Sequence, residues 1–275
     1  MLALVTIGVF GLFHPTELEV RPAHGGAIVI ERGGVRETLE GAHASRIRTA
    51  ARVAARDGGP AEFILSVPGR IQREFHGRLN VRQFDVRRNS VELLAIVEMD
   101  RETAVASIVG AELSASTPIE ALKAQAVAAR SFLAASHHRH EDFDFCDTTH
   151  CQFLREPPSP GSPAARAAEE TRGLTVAYQG RVIAALYSAD CGGHTRALAD
   201  AEWKSGEPDR PLGPDDYPYF AVECPRRKPG LVSGPIAGHG VGLCQAGAAE
   251  MARTGATFRE ILNRFYPATT LVRAE

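Results

Sequence analysis

Several absences narrow the class of this chain before any motif is read. It has no charge surplus: 31 Lys+Arg stand against 33 Asp+Glu, a net charge of −2. A surface balanced in this way offers no strong field to a polyanion, which argues against nucleic acid as the main partner. No stretch reaches the ~18 consecutive apolar residues of a membrane span. Met1–Leu12 is apolar, but it carries no basic leader segment and no small-x-small cleavage pattern follows it. It reads as a buried strand, Leu4–Phe13, ending at His14-Pro15-Thr16. An even cysteine count is also missing: with five, not all can pair. No internal repeat is visible.

The 275 residues are 44% hydrophobic, enough for one large domain or two small ones. Residues 1–89 read as a β-rich N-terminal region. Leu18-Glu19-Val20-Arg21 alternates, Gly25-Gly26 turns, and Ala27–Ile30 is an apolar run. Arg32-Gly33-Gly34-Val35 marks a hairpin, and Phe63–Val67 and Val91–Val97 are further strands. Near residue 103 the period turns helical: Val105, Ile108, Val109 and Glu112 share one stripe, and this helix ends near Leu113. A second helix opens with Thr117 as cap, Pro118 in its first turn and Glu120 completing a T-x-x-E box, and runs to about Ser136. His137–Gln152 is polar and irregular, and Ala164–Thr171 is a short helix. Leu174–Tyr178 and Val182–Tyr187 form a hairpin around Gln179-Gly180. Residues 199–230 form a surface excursion. Two helices close the chain, the second opened by a T-x-x-E box at Thr257–Glu260 and stopped at Pro267. The fold class expected is α+β: the β-rich part, and a mixed α/β body over 90–275 with a substrate groove.

The chemistry-bearing residues cluster in this body. Glu112 lies on an apolar helical stripe, and burial disfavours the charged form of a carboxyl. A carboxylic acid kept protonated is what leaving-group protonation in glycosidic cleavage requires. A solvated helix-end Glu is the plain alternative. Glu120 ranks second, because a capping box already accounts for it. His140, Cys146 and Cys151, or His150 as a substitute, have zinc-ligand chemistry but supply no evident fourth ligand. A small Cys146–Cys151 disulfide loop or two free thiols are the alternatives. Tyr187 and His194 flank Cys191-Gly192-Gly193 and can contact a ligand. A Cys–His hydrolase pair, from Cys191 with His194 or Cys244 with His239, ranks low, because most cysteines are packed and inert. In an exported chain, Cys191 pairs with Cys224.

Taken together, the motifs resemble the SpoIID/LytB family of bacterial cell-wall proteins. The resemblance rests on Glu112, on Glu120-Ala-Leu-Lys-Ala-Gln-Ala-Val-Ala-Ala-Arg130, and on Cys146-Asp-Thr-Thr-His-Cys-Gln152. It rests equally on Tyr187-Ser188, Cys191-Gly-Gly-His-Thr195, Gly238-His-Gly-Val-Gly-Leu-Cys-Gln245, Phe258-Arg-Glu-Ile-Leu262 and Phe265-Tyr-Pro267. Leu113-Ser114 stands where the family has Met-Pro. The resemblance implies a lytic transglycosylase that cleaves peptidoglycan glycan strands, preferably stripped of stem peptides, and leaves 1,6-anhydro-N-acetylmuramic acid ends. Glu112 would be its acid-base. Gln125, Arg130, Tyr187, Ser188, Gly192, Gly193, His194, His239 and Gln245 would bind substrate. The chemistry would need no cofactor, and His140, Cys146 and Cys151 would hold a structural zinc. The resemblance also implies a cell-envelope location. The alternative role is a non-catalytic glycan binder that stimulates a cell-wall amidase.

Overall fold

The structure is a computed structural model and describes residues 3–86, 90–136, 139–201, 217–225 and 237–273. It is α+β, and the chain divides into two compact units. Residues 2–104 and 138–157 form one; residues 105–137 and 158–275 form the other. The strand at 90–100 and the segment 138–157 thus belong with the β-rich unit, beyond the residue-89 boundary read from the sequence.

The β-rich unit is one ten-stranded sheet. Its strands are β1 (Leu4–Val9), β2 (Leu18–Pro22), β3 (Ala27–Arg32), β4 (Val35–Glu40), β5 (Ser45–Ile47), β6 (Ala51–Ala54), β7 (Ala61–Val67), β8 (Ile71–Val86), β9 (Ser90–Asp100) and β10 (Phe145–Cys146). The main path runs β10-β1-β9-β8-β6-β3-β4, while β2 joins β5 and β7. β8 is long enough to serve both parts, pairing with β7 along its first half and with β6 and β9 further on. Period-two burial explains the strands. In β7, Ala61, Phe63, Leu65 and Val67 are buried while Glu62 between them is exposed. Phe75 packs between Phe10 and Phe63, each ring centroid 5.9 Å away.

β1 is shorter than the sequence suggests. It ends at Val9 because Phe10 turns left-handed (φ 62) into a single 3-10 turn, Gly11–Phe13. The Phe10 N–H leaves the ladder to donate to Asp147 (3.3 Å), and its ring goes into the core. Tertiary contacts here outweigh an apolar run that looks continuous.

The helix α1 (Arg101–Glu112) ends in the second unit, whose centre is α2 (Ile119–Ala135). α2 is buried from Ala121 to Leu133 except at Lys123. Five alanines in that span let α3 (Pro163–Glu170), α4 (Gln245–Arg253), α5 (Phe258–Phe265) and β11 (Leu174–Tyr178) pack close around it. Ser131 Oγ ties two of these elements together: it donates to Val127 O (2.6 Å) and accepts from the Val176 N–H of β11 (2.8 Å). β11 lies between β12 (Arg181–Val182) and β15 (Thr270–Arg273), a strand that the sequence reading missed. The expected strand over 182–187 is instead two short pieces, β12 and β13 (Tyr187–Ser188). β13 pairs in parallel with β14 (Leu243–Cys244).

The Thr257–Glu260 capping box forms, with both reciprocal hydrogen bonds. The Thr117–Glu120 box does not: Pro118 occupies the cap position and no side chain caps α2. The Thr117 N–H closes a turn onto Ser114 O (2.9 Å).

Candidate functional site

Glu112, Gln125, Tyr187 and Gln245 meet within the helical unit. α1 delivers Glu112 half-buried at its end, as its apolar stripe requires. Gln245 opens α4, and its Nε2 donates to Glu112 Oε2 at 3.2 Å. The same nitrogen lies 3.5 Å from the Oε1 of Gln125, which is fully buried on α2. The parallel β13–β14 pair sets Tyr187 opposite Leu243, two residues before Gln245. Burial, and then the negative charge of Glu112, hold the Tyr187 phenol well above its ordinary pKa. Gln125 Nε2 and Ser188 Oγ are buried without a hydrogen-bond partner among the described residues. Unmet donors of this kind are costly in a folded core unless a ligand uses them.

The glycine loop ahead of α4 is held by backbone contacts. Arg196 N–H donates to Gly240 O (2.8 Å), and Leu243 N–H to Leu186 O (3.0 Å). Gly242 has φ +72, and a Cβ there would run into the Leu186 carbonyl oxygen. Both the angle and the space demand glycine. Tyr266 OH donates to that same carbonyl at 2.5 Å.

Other residues expected at the site do different work. Arg130, read as substrate-binding, is fully buried. Its guanidinium donates to Ala168 O (3.1 Å), Leu174 O (3.1 Å), Ala126 O (3.4 Å) and Thr171 Oγ1 (3.4 Å). It satisfies the carbonyl end of α3, where a cation is favoured. Glu120 is also structural, although not as a capping box. One oxygen pairs with Lys123 Nζ (2.8 Å) and the other accepts the Phe258 N–H (2.7 Å) at the start of α5. His194 is exposed, with Nδ1 2.9 Å from Thr195 O. His239 Nδ1 accepts the Val241 N–H (3.1 Å), which shapes the glycine loop. Gly192 and Gly193 are half-buried, and Gly193 O accepts the Cys224 N–H (3.0 Å).

In the β-rich unit, His140, Cys146, His150 and Cys151 converge, with ligand atoms all within 4.8 Å of one another. His150, which the sequence offered only as a substitute for one of the other three, here completes a set of four donors. Neither cysteine is in a disulfide. Two cysteines and two histidines are a donor set that suits tetrahedral zinc. The loop is anchored at the sheet edge. β10 runs parallel to β1, setting Cys146 opposite Gly8. Asp147 pairs with Arg73 at 2.6 Å, and both are buried. Burial pushes the Asp147 carboxyl up, against the pull of Arg73. Gly8 leaves room for the Phe143 ring, which a Cβ there would meet at 2.6 Å. That ring stacks on His140 with centroids 4.4 Å apart. The adjacent thiol of Cys151 is the main cause that pulls Cys146 down, and the same contact pushes Cys151 up. Cys146 is therefore the readier thiolate of the pair. His137 and His138 lie outside the described residues.

The Cys191–Cys224 disulfide expected of an exported chain is not formed. All three remaining cysteines are unbridged, and their sulfurs cluster together. A separate cavity of about 530 Å³ lies in the β-rich unit, lined in part by Arg36, Arg52, Arg78 and Arg82. It contains none of the residues expected at the site.

The chain matches the family described as SpoIID, Stage II sporulation protein, over residues 89–178. This stretch holds α1 with Glu112, the whole of α2 and the Cys/His loop. The match marks a SpoIID domain over these residues, and that domain suggests a cell-wall-related function. It is also similar to an uncharacterized protein of Brachyspira hyodysenteriae. The two are 26% identical over 254 residues, covering 66% of this chain and 68% of that one.

Proposed function

We propose that this protein is a lytic transglycosylase of peptidoglycan glycan strands, with Glu112 as its single acid-base. The observation that carries the reading is the half-buried Glu112 carboxylate, held by Gln245 Nε2 beside Tyr187 and the unmet donor of Gln125. One carboxyl suffices for this chemistry. As the acid, Glu112 protonates the glycosidic oxygen and the C1–O bond breaks. As the resulting carboxylate, it takes the proton of the sugar's own C6 hydroxyl while O6 bonds to C1. The proton returns to Glu112, no water is consumed, and the product is a 1,6-anhydro end. Gln245 fixes the carboxylate's direction in both steps, a positioning role.

The SpoIID match over residues 89–178 supports a wall substrate, and a protein acting on one would work in the cell envelope. Zinc at His140, Cys146, His150 and Cys151 would supply structural cross-linking of the loop to the sheet edge and no step of the reaction.

The test is incubation with peptide-free glycan strands, followed by mass spectrometry of the products. Anhydro-ended fragments should form, and Glu112→Gln should slow their release by roughly 10²–10⁴-fold. Strand binding without any cleavage would overturn the reading and favour a glycan-binding modifier of a separate amidase.

A further inference from the structure

We propose that Cys191, Cys224 and Cys244 form a second metal site, a buried three-sulfur pocket for a soft, thiolate-binding cation. The three sulfurs come from separate parts of the chain: the residue-191 loop after β13, the 217–225 segment, and the end of β14. All lie within 4.8 Å of one another. Thiolates sharing one zinc-sized ion stand roughly 3.8 Å apart, given metal–sulfur bonds of ~2.3 Å. The residues are 2%, 2% and 0% exposed.

A buried cysteine is ordinarily a small apolar side chain. Two features here go beyond packing. First, the backbone is arranged around sulfur. The N–H groups of Cys191 (3.3 Å) and Gly247 (3.4 Å) both donate to Cys244 Sγ. Cys244 also caps the nine-residue α4, where the helix end favours negative charge. Second, the fold has cleared space for the sulfurs. Gly247 lies so close to Cys224 Sγ that any Cβ at 247 would collide with it. A disulfide would use two of the three thiols and leave the third packed against the bridge. A single ion uses all three.

The chemistry is that of a d10 thiophilic cation: monovalent copper in trigonal coordination, or zinc with one exogenous fourth ligand. Bound there, the ion would fasten the 191 loop and the 217–225 segment to the start of α4, whose first residue is Gln245. The site itself does not depend on the role proposed for Glu112.

The experiment counts ions bound to the full-length chain, purified reduced and without oxygen. A Cys146→Ser/Cys151→Ser variant removes the other thiols. It is titrated separately with Zn²⁺ and with Cu⁺ against a competing chelator. Co²⁺ absorption reports thiolate coordination. One equivalent of either ion should bind, with Co²⁺ giving thiolate-to-metal charge transfer. Adding Cys191→Ser, Cys224→Ser or Cys244→Ser should each weaken binding by at least roughly 100-fold. The same three single variants in the otherwise native chain should each lower the bound-metal count by one, which reads the site even if the double variant fails to fold. A folded double variant that binds neither ion overturns the proposal. So does a purified chain with two of these cysteines bridged that takes up no metal after reduction.

Discussion

Gln245 Nε2 stands 3.2 Å from Glu112 Oε2, joining residues 133 positions apart in the chain. The contact makes the end of α1 and the start of α4 one chemical unit. Gln245→Ala should therefore lower the cleavage rate by roughly tenfold or more, because a loosened acid-base loses its aim. Glu112→Gln should cost more, within the range given above. Product release from glycan strands measures both, and unchanged circular dichroism keeps the comparison fair.

Arg130 should behave as a structural residue. Arg130→Met removes the donor that Ala168 O of α3 and Leu174 O of β11 share, at a cost of about 3 kcal/mol. Urea denaturation should show a lower midpoint. A mutant of wild-type stability with weakened glycan affinity would instead return Arg130 to the binding set.

The two T-x-x-E sequences should respond differently. Thr257→Ala removes a working cap and should cost about 1 kcal/mol. Thr117→Ala removes no cap bond and should stay within about 0.5 kcal/mol. Thermal melts of the two single variants decide it.

Glu260 supplies a pH signature. The Thr257 N–H and hydroxyl hold its carboxyl below the ordinary glutamate range. A carboxyl lowered on folding contributes stability above its unfolded pKa and loses it as pH falls through the folded value. Wild type should exceed Glu260→Gln in stability at neutral pH, and the difference should vanish in acid. Denaturation midpoints across pH give the profile.

Gly242→Ala should be among the most damaging single changes in the helical unit, costing about 3 kcal/mol or more, because strain at φ +72 adds to collision with Leu186 O. Gly193→Ala, at φ +106 with open space around the added carbon, should cost about 1–2 kcal/mol. Chemical denaturation of the pair separates backbone strain from collision.

Much of this protein was readable in its sequence because the signals are local. The Thr257 box, the Gly33-Gly34 hairpin and the strand over Phe63–Val67 depend on residues a few positions apart, and they form as expected. The stripe that half-buries Glu112 is likewise a matter of helical period. What failed was local reading of residues with distant partners. Thr117–Glu120 has the same letters as Thr257–Glu260, yet Glu120 is taken by Lys123 and by the Phe258 N–H. Arg130 sits in a motif that resembles a binding surface, yet α3 and β11 fold over it and claim its donors. His150 was legible only as a substitute donor, and the fold instead sets it beside His140, Cys146 and Cys151 together. That Cys244 joins Cys191 and Cys224 was not legible, because nothing in their spacing shows that β13 pairs with β14 and that the 217–225 segment returns beside them. Period, caps and turns are written residue by residue along the chain. Which side chains share a buried point is decided by long-range pairing, where the cost of an unmet polar group selects the partners.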